Sequence, residues 1–168
     1  KTFVREALKC SNVKIARAMP NLACSVGAGM TGLDVCELLP SDKEFVTGLF
    51  SSAGKVNILE EKLMNAVTSI SGSGPAYVFL FLRSLVLAGM EQGFTESQAK
   101  EFALQTLKGG VKLVENSVSG TLEELIEAVS SKGGTTVAAL ESFRKDDFAG
   151  AVSRAVAAAV RRAEELSE

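Results

Sequence analysis

The chain has 168 residues, with 18 Lys and Arg, 20 Asp and Glu, three cysteines and no histidine. Without histidine, the chain excludes Ser-His-Asp and Cys-His catalytic groups, helix-borne His-Glu-x-x-His zinc sites and an imidazole general base. The formal net charge of −2 comes from both signs spread along the chain, which argues against a nucleic-acid partner because phosphate binding needs a basic stripe.

The cysteines indicate the compartment. Cys10, Cys24 and Cys36 form no Cys-x-x-Cys pair, and no histidine completes a zinc site. We interpret them as buried or incidental thiols in a reducing compartment, which favours a cytoplasmic location and no metal. The chain begins with Lys1 rather than Met, so we expect a fragment of a longer protein in which a targeting segment could lie upstream.

The first forty residues predict a helix followed by short strands and turns. Residues 2–9 predict a helix, and residues 13–17 alternate apolar and basic side chains like a half-buried strand. Residues 19–21, Met-Pro-Asn, break that strand. Residues 22–39 are rich in glycine and β-formers, which favours strands and turns over a helix.

One glycine-rich segment imitates a dinucleotide-binding motif. Residues 27–32 match G-x-G-x-x-G letter for letter. That motif requires a following crossover helix whose N-terminus receives the pyrophosphate, but Pro40 comes too soon to leave room for such a helix. We therefore interpret this segment as a glycine-bearing strand or turn.

From Ser41 onward, the sequence predicts a mainly helical region. Ser41, Thr95 and Thr121 are each followed three residues later by Glu or Gln, the pattern of a capping box at a helix start. Apolar residues recur at helical spacing over residues 99–114 and 148–163. In this half only residues 56–59 resemble a strand.

The most apolar stretch is predicted to be a core helix. Residues 75–90 are apolar on nearly every face, and Arg83 interrupts them. The apolar run is shorter than the roughly 20 residues that cross a bilayer, so we expect no membrane span. A chain of this length cannot cover such a helix on all sides, so we expect a second subunit to cover part of it.

Two glycine- and hydroxyl-rich turns are candidate sites. Residues 71–74, Ser-Gly-Ser-Gly, precede the apolar helix and are equally compatible with a flexible, tightly packed helix entry and with an anion site. Residues 130–136, Ser-Ser-Lys-Gly-Gly-Thr-Thr, open another helix. A plain capping turn needs only one Thr and one Gly, so the doubled residues favour a carboxylate or phosphate site.

These two segments carry a specific resemblance. Residues 66–77 and, some distance later, residues 130–136 closely resemble two motifs of the Δ1-pyrroline-5-carboxylate reductase family. Residues 17–21 look like the end of that family's cofactor domain, and Glu61 falls at its acidic position. The resemblance runs over nearly the whole chain.

The resemblance implies a mainly α chain with two parts. Residues 1–20 would be the C-terminal remnant of a Rossmann-type α/β dinucleotide-binding domain, a short helix and a strand, with the true glycine fingerprint upstream. Residues 21–168 would be a helical-bundle dimerisation and substrate-binding domain of about five to seven helices. Two subunits would intertwine through it, as a homodimer or a higher homo-oligomer.

The resemblance also implies the reduction of Δ1-pyrroline-5-carboxylate to L-proline, the last step of proline biosynthesis, by hydride transfer from NADPH or NADH. The Thr136 hydroxyl would be the proton donor or relay. Lys132 stands where the family usually has proline, which loosens the loop and adds a cation beside a carboxylate site. By similarity, the substrate would contact Ser131, Gly134, Thr135, Thr136 and Glu61, and the nicotinamide would contact Met19, Pro20 and Asn21.

Two alternatives stay open from the sequence. The chain could be a catalytically silent helical dimerisation module whose glycine turns only cap helices. It could also belong to a related imine or hydroxy-acid reductase on the same scaffold. Under the leading interpretation, this chain alone has negligible activity because most of the cofactor domain is missing from it.

Overall fold

A computed structural model describes residues 1–9, 12–117 and 120–166, so the interpretation of Cys10 lies outside the described residues. The described chain is mainly helical with one small sheet, which confirms the predicted mainly α class. Cys24 is half-buried and Cys36 is exposed, and both are free thiols. The elements are α1 (Thr2–Leu8), β1 (Arg17–Met19), β2 (Gly29–Asp34), α2 (Pro40–Ser51), β3 (Gly54–Ile58), α3 (Met64–Val67), α4 (Gly74–Glu91), α5 (Glu96–Asn116), α6 (Leu122–Ala128), α7 (Thr135–Lys145) and α8 (Phe148–Glu165).

The chain divides into two units. The first contains Lys1–Tyr77 and Ala155–Glu168, and the second contains Val78–Arg154. The sheet lies in the first unit, and α5, α6 and α7 lie in the second. The domain boundary at residue 20 remains a prediction.

The sheet of the first unit has the order β1-β2-β3. Strand β2 pairs antiparallel with β1 and parallel with β3. It is the buried centre of this unit, where Leu33 is fully buried and Thr31 is 1% exposed. Burial of this strand on both faces explains its small and apolar residues.

Strand β1 corrects the prediction for residues 13–17. The strand begins at Arg17 and ends at Met19. Its position follows from pairing, because Arg17 lies opposite Asp34 and Met19 lies opposite Gly32. Residues 13–16 have no partner strand among the residues that the structure describes, and local alternation without a partner does not make a strand. The strand predicted at residues 56–59 is observed as Gly54–Ile58.

The segment that imitates a nucleotide-binding motif is a turn and a strand, as predicted. Gly27 ends a 3₁₀ turn, Leu22–Val26, with a φ of 70°. Gly29 begins β2, and a Cβ there would collide with Cys24 Sγ and lie 2.9 Å from Ala53 O. Close packing therefore accounts for glycine here.

Two of the three predicted capping boxes are present. At Thr121, the backbone N–H donates to Glu124 Oε2 at 2.7 Å, and Glu124 N–H donates to Thr121 Oγ1 at 3.2 Å. Thr95 forms the same box with Gln98. The box predicted at Ser41 is wrong, because α2 begins two residues earlier than that box requires, with Pro40 as its first residue and Leu39 as its N-cap.

Helix α4 is exposed in the single chain. Val78, Phe79 and Leu80 are 55%, 57% and 62% exposed. The helical stretch Glu61–Glu91 is long and apolar enough, by length and composition alone, to cross a membrane. A π-helical turn, Thr68–Gly72, interrupts its regular α-helix.

Candidate functional site

The loop between α6 and α7 carries one group of predicted site residues. Gly133 has a φ of 72°, in the left-handed region that favours glycine. A Cβ at Gly134 would lie 2.6 Å from Ser131 Oγ, so glycine is needed for the Ser131 side chain to lie against the helix start. The turn thus brings Ser131, Gly134, Thr135 and Thr136 together.

Helix α7 begins without a side-chain cap. Its N-cap is Gly134, and no side chain of the described residues caps it. By helix geometry, the N–H groups of Thr135 and Thr136 have no intrahelical acceptor. Helices α5 and α6, by contrast, have complete capping boxes. Free N–H groups and the helix dipole both favour an anion at the start of α7.

The hydroxyl groups in this turn differ in whether they make a hydrogen bond. Ser130 Oγ donates to Ile126 O at 2.6 Å. Within the described part of the chain, the hydroxyls of Ser131, Thr135 and Thr136 make no hydrogen bond. Thr136 is half-buried, while Ser131 and Thr135 are exposed. Three free hydroxyls therefore surround an uncapped helix start.

The residues predicted to face the cofactor lie in the first unit. Met19 ends β1, Pro20 is exposed and Asn21 is half-buried. Asn21 Oδ1 accepts the N–H of Met30 at 3.2 Å, and Asn21 Nδ2 donates to Ser71 Oγ at 3.4 Å. Both ends of the Asn21 carboxamide are thus held by the protein.

Glu61 makes its contacts elsewhere in the first unit. It begins a 3₁₀ turn, and its Oε1 accepts from Arg17 at 3.3 Å. The positive charge of Arg17 favours the ionised form of this carboxyl group. Glu61 is therefore a carboxylate at neutral pH, able to accept a proton or attract a cation but not to donate a proton.

The predicted residues fall into both units. Ser131, Gly134, Thr135 and Thr136 belong to the second, whereas Met19, Pro20, Asn21 and Glu61 belong to the first. Sequence reasoning missed Ser71 as the partner of Asn21, and no local signal could reveal a contact between residues 50 positions apart. In the described ranges, no three His, Cys, Asp or Glu residues cluster to hold a metal ion.

Comparison with known proteins gives a family match. A family profile described as "Pyrroline-5-carboxylate reductase dimerisation" matches residues 61–166. The chain is 39% identical over 155 residues to the pyrroline-5-carboxylate reductase of Synechocystis sp., covering 92% of this chain and 58% of that protein. It is 35% identical over 158 residues to the enzyme of that name from Escherichia coli, with the same two coverages of 92% and 58%.

Solved structures give the same match. Plasmodium falciparum pyrroline carboxylate reductase with NADP bound superposes with a TM-score of 0.92 at 36% identity, covering 98% of this chain and 66% of that one. Pyrroline-5-carboxylate reductase from Coxiella burnetii has a TM-score of 0.92 at 31% identity, covering 100% of this chain and 63% of that one. The chain thus spans less than two thirds of the length of these relatives. Because the family profile covers more than half of the chain, the chain belongs to the pyrroline-5-carboxylate reductase dimerisation family.

Proposed function

We propose that this chain is the dimerisation and substrate-binding part of an enzyme that reduces Δ1-pyrroline-5-carboxylate to L-proline with NADPH or NADH. The observation that carries the proposal is the uncapped start of α7, surrounded by free hydroxyls, in a chain of this family. Relatives named pyrroline-5-carboxylate reductase at up to 39% identity support it.

The substrate carboxylate would bind at the start of α7. The N–H groups of Thr135 and Thr136 and the Ser131 hydroxyl are donors without an acceptor in the described chain, and a carboxylate offers two acceptor oxygens. Gly134 supports this role because a side chain there would displace Ser131. Lys132 is exposed in the same loop and adds a favourable charge.

Thr136 would supply the proton. Reduction of the ring C=N bond adds a hydride to carbon C5 and a proton to nitrogen. The Thr136 hydroxyl is free and half-buried beside the carboxylate site. It would donate its proton to the ring nitrogen and regain one from water, so no histidine is required. If the proton arrives before the hydride, the ring is an iminium cation, and the ionised Glu61 would stabilise its positive charge.

A reduced nicotinamide, when bound, supplies the hydride. The residues here fit the nicotinamide end of such a cofactor, because Met19, Pro20 and Asn21 form a held, partly apolar segment that suits a flat ring. They do not fit its pyrophosphate, because residues 27–32 form a turn and a packed strand. The Plasmodium falciparum relative has NADP bound, and this likeness supports a nicotinamide cofactor.

The wider assignments follow from the same proposal. Residues 1–20 are the remnant of the cofactor domain, residues 21–168 form the helical domain, and the enzyme is a cytoplasmic homodimer or higher homo-oligomer. The exposed apolar side chains of α4 support a second copy as the cover of this helix, and the family profile is described as dimerisation.

Replacing Thr136 tests the proposal. In a full-length enzyme containing this chain, we expect Thr136→Ala to reduce kcat with pyrroline-5-carboxylate by about 10²-fold, the range of a lost general acid. Thr136→Ser should retain much of the activity because it keeps the hydroxyl. Sedimentation should show the same oligomer for both variants.

The controls separate the alternatives. Ser130→Ala removes a neighbouring hydroxyl that donates to the Ile126 carbonyl of α6. This variant should leave kcat unchanged. Unchanged kinetics of Thr136→Ala would support a silent dimerisation module, and preference for open-chain acids would support another reductase. We expect this chain alone to have negligible turnover, and measurable turnover by it would contradict that expectation.

A further inference from the structure

We propose that Ser71 is a positioning residue for hydride transfer. Through Asn21, it holds residues 19–21 against the nicotinamide. This inference rests on the proposed function, which places Met19, Pro20 and Asn21 beside that ring. It assigns a task to the hydroxyl group of Ser71 that is carried out through Asn21.

The pairing of β1 with β2 ends just before Asn21. The last pair of the β1–β2 ladder is Met19 opposite Gly32, and the same register would set Asn21 opposite Met30. Pro20 has no N–H to continue the ladder. The Asn21 side chain replaces the missing backbone pairing, since its Oδ1 accepts the Met30 N–H at 3.2 Å.

Ser71 closes this arrangement. Its Oγ accepts from Asn21 Nδ2 at 3.4 Å and donates to Met30 O at 3.4 Å. The two side chains therefore satisfy both backbone polar groups of Met30 and each other in a closed ring of hydrogen bonds. The ring also fixes the orientation of the Asn21 amide, because a flipped amide would place an NH₂ group against the Met30 N–H.

The π-helical turn brings Ser71 to this point. Ser73 N–H donates to Thr68 O at 2.8 Å, five residues back, and Thr68 Oγ1 donates to Met64 O at 2.8 Å. Such wide turns are frequent at functional sites. The next residue, Gly72, gives room to the other end of the segment, since a Cβ there would lie 2.7 Å from Met19 Cε.

One turn thus holds Asn21 and leaves room for Met19, the two ends of the nicotinamide-facing segment, with exposed Pro20 between them. Without the Ser71 hydroxyl, Asn21 loses the acceptor for its NH₂ group, and the segment gains freedom. The carboxylate site at the start of α7 makes no use of Ser71. We therefore expect slower hydride transfer with unchanged binding of the substrate carboxylate, because small errors in alignment lower the rate of the chemical step.

Steady-state kinetics of the full-length enzyme test this inference. With Ser71→Ala, we expect kcat to fall about three- to tenfold, the loss that corresponds to one hydrogen bond. The KM for pyrroline-5-carboxylate should change by less than about twofold. The primary isotope effect on kcat with a C4-deuterated reduced nicotinamide should increase, because the chemical step becomes more rate-limiting.

Three further variants test whether the loss comes from the hydrogen bonds of Ser71. Ser71→Thr keeps the hydroxyl and should restore kcat. Adding Ser71→Ala to Asn21→Ala should lower kcat no further, because both changes break the same ring. Ser52→Ala removes an exposed hydroxyl that bonds only Leu49 O at 2.7 Å and should behave as wild type.

The outcomes separate this inference from the proposed function. A wild-type enzyme without turnover would overturn both. An active wild-type enzyme with unchanged kcat and isotope effect in Ser71→Ala would overturn the positioning role alone. A rise in KM with kcat unchanged, or additive losses in the double variant, would also overturn that role.

Discussion

Asp34, at the end of β2, shows how one buried charge is accommodated. The residue is 1% exposed, its Oδ2 lies 2.7 Å from Lys1 Nζ, and its Oδ1 accepts the Cys36 N–H at 3.0 Å. Burial raises the pKa of Asp34, but the Cys36 N–H and the Lys1 ammonium outweigh it and lower that pKa to about 2, from 3.8. The native state therefore favours the ionised carboxylate.

The depressed pKa of Asp34 predicts a pH dependence of stability. Stability from this carboxylate is complete above the unfolded pKa and is lost as pH falls from about 4 to about 2. At pH 7 we expect Asp34→Asn to lower the free energy of unfolding by about 2 kcal/mol. Denaturant unfolding should show this gap closing at pH 2, and a gap of equal size at both pH values would contradict the assignment.

Asp42→Asn is the matched control for this carboxylate. Asp42 is half exposed, and Lys14 Nζ lies 3.7 Å from it. Exposed pairs of this kind contribute about 0–1 kcal/mol. The variant should therefore unfold like wild type.

Single residues were predictable where their signal is local. The glycines and hydroxyls of residues 130–136 predict a helix start, and α7 begins there, whereas the roles of Gly134 and Thr136 in binding and catalysis stay predictions. Two partners, Ser71 of Asn21 and Lys1 of Asp34, are far away in the sequence, and only the folded chain brings them together. Long-range contacts of this kind leave no local pattern.

Among the helices and strands, helix starts are predicted correctly where the whole signal lies within one turn. The boxes at Thr95 and Thr121 are complete because each hydroxyl and its partner three residues later lie within one turn. The pattern at Ser41 fails because Pro40 already supplies the first helical residue. The strand predicted at residues 13–17 fails for a different reason, since pairing with β2 decides its position.

Removal of a cap tests this distinction. We expect Thr95→Ala to lower the free energy of unfolding by about 1 kcal/mol, because it leaves the Gln98 N–H unsatisfied at the start of α5. Ser41→Ala changes the same residue pattern without removing a cap and should stay within about 0.5 kcal/mol of wild type. Thermal unfolding measured by circular dichroism provides the comparison, and equal losses in both variants would refute the observed start of α2.

For the whole molecule, the main question is what covers the exposed apolar side chains. Phe79, Leu80 and Phe102 are each more than half exposed in the single chain. The all-round apolar pattern of α4 predicts a second subunit from sequence alone, and an exposed apolar face of this kind is typical of an obligate interface.

A charge placed on α4 should prevent association. We expect Leu80→Glu, at a position 62% exposed in the single chain, to give monomers, because a carboxylate in an apolar interface lacks a partner. Val26→Glu is the matched control, since Val26 is 77% exposed and lies on a 3₁₀ turn outside α4. Far-UV circular dichroism should show that both variants keep their helices.

Sedimentation equilibrium of this chain at micromolar concentration tests the dimerisation claim most directly. We expect a mass of at least twice 17.6 kDa, reduced to 17.6 kDa by Leu80→Glu and not by Val26→Glu. A folded wild-type chain that sediments at 17.6 kDa would contradict this expectation.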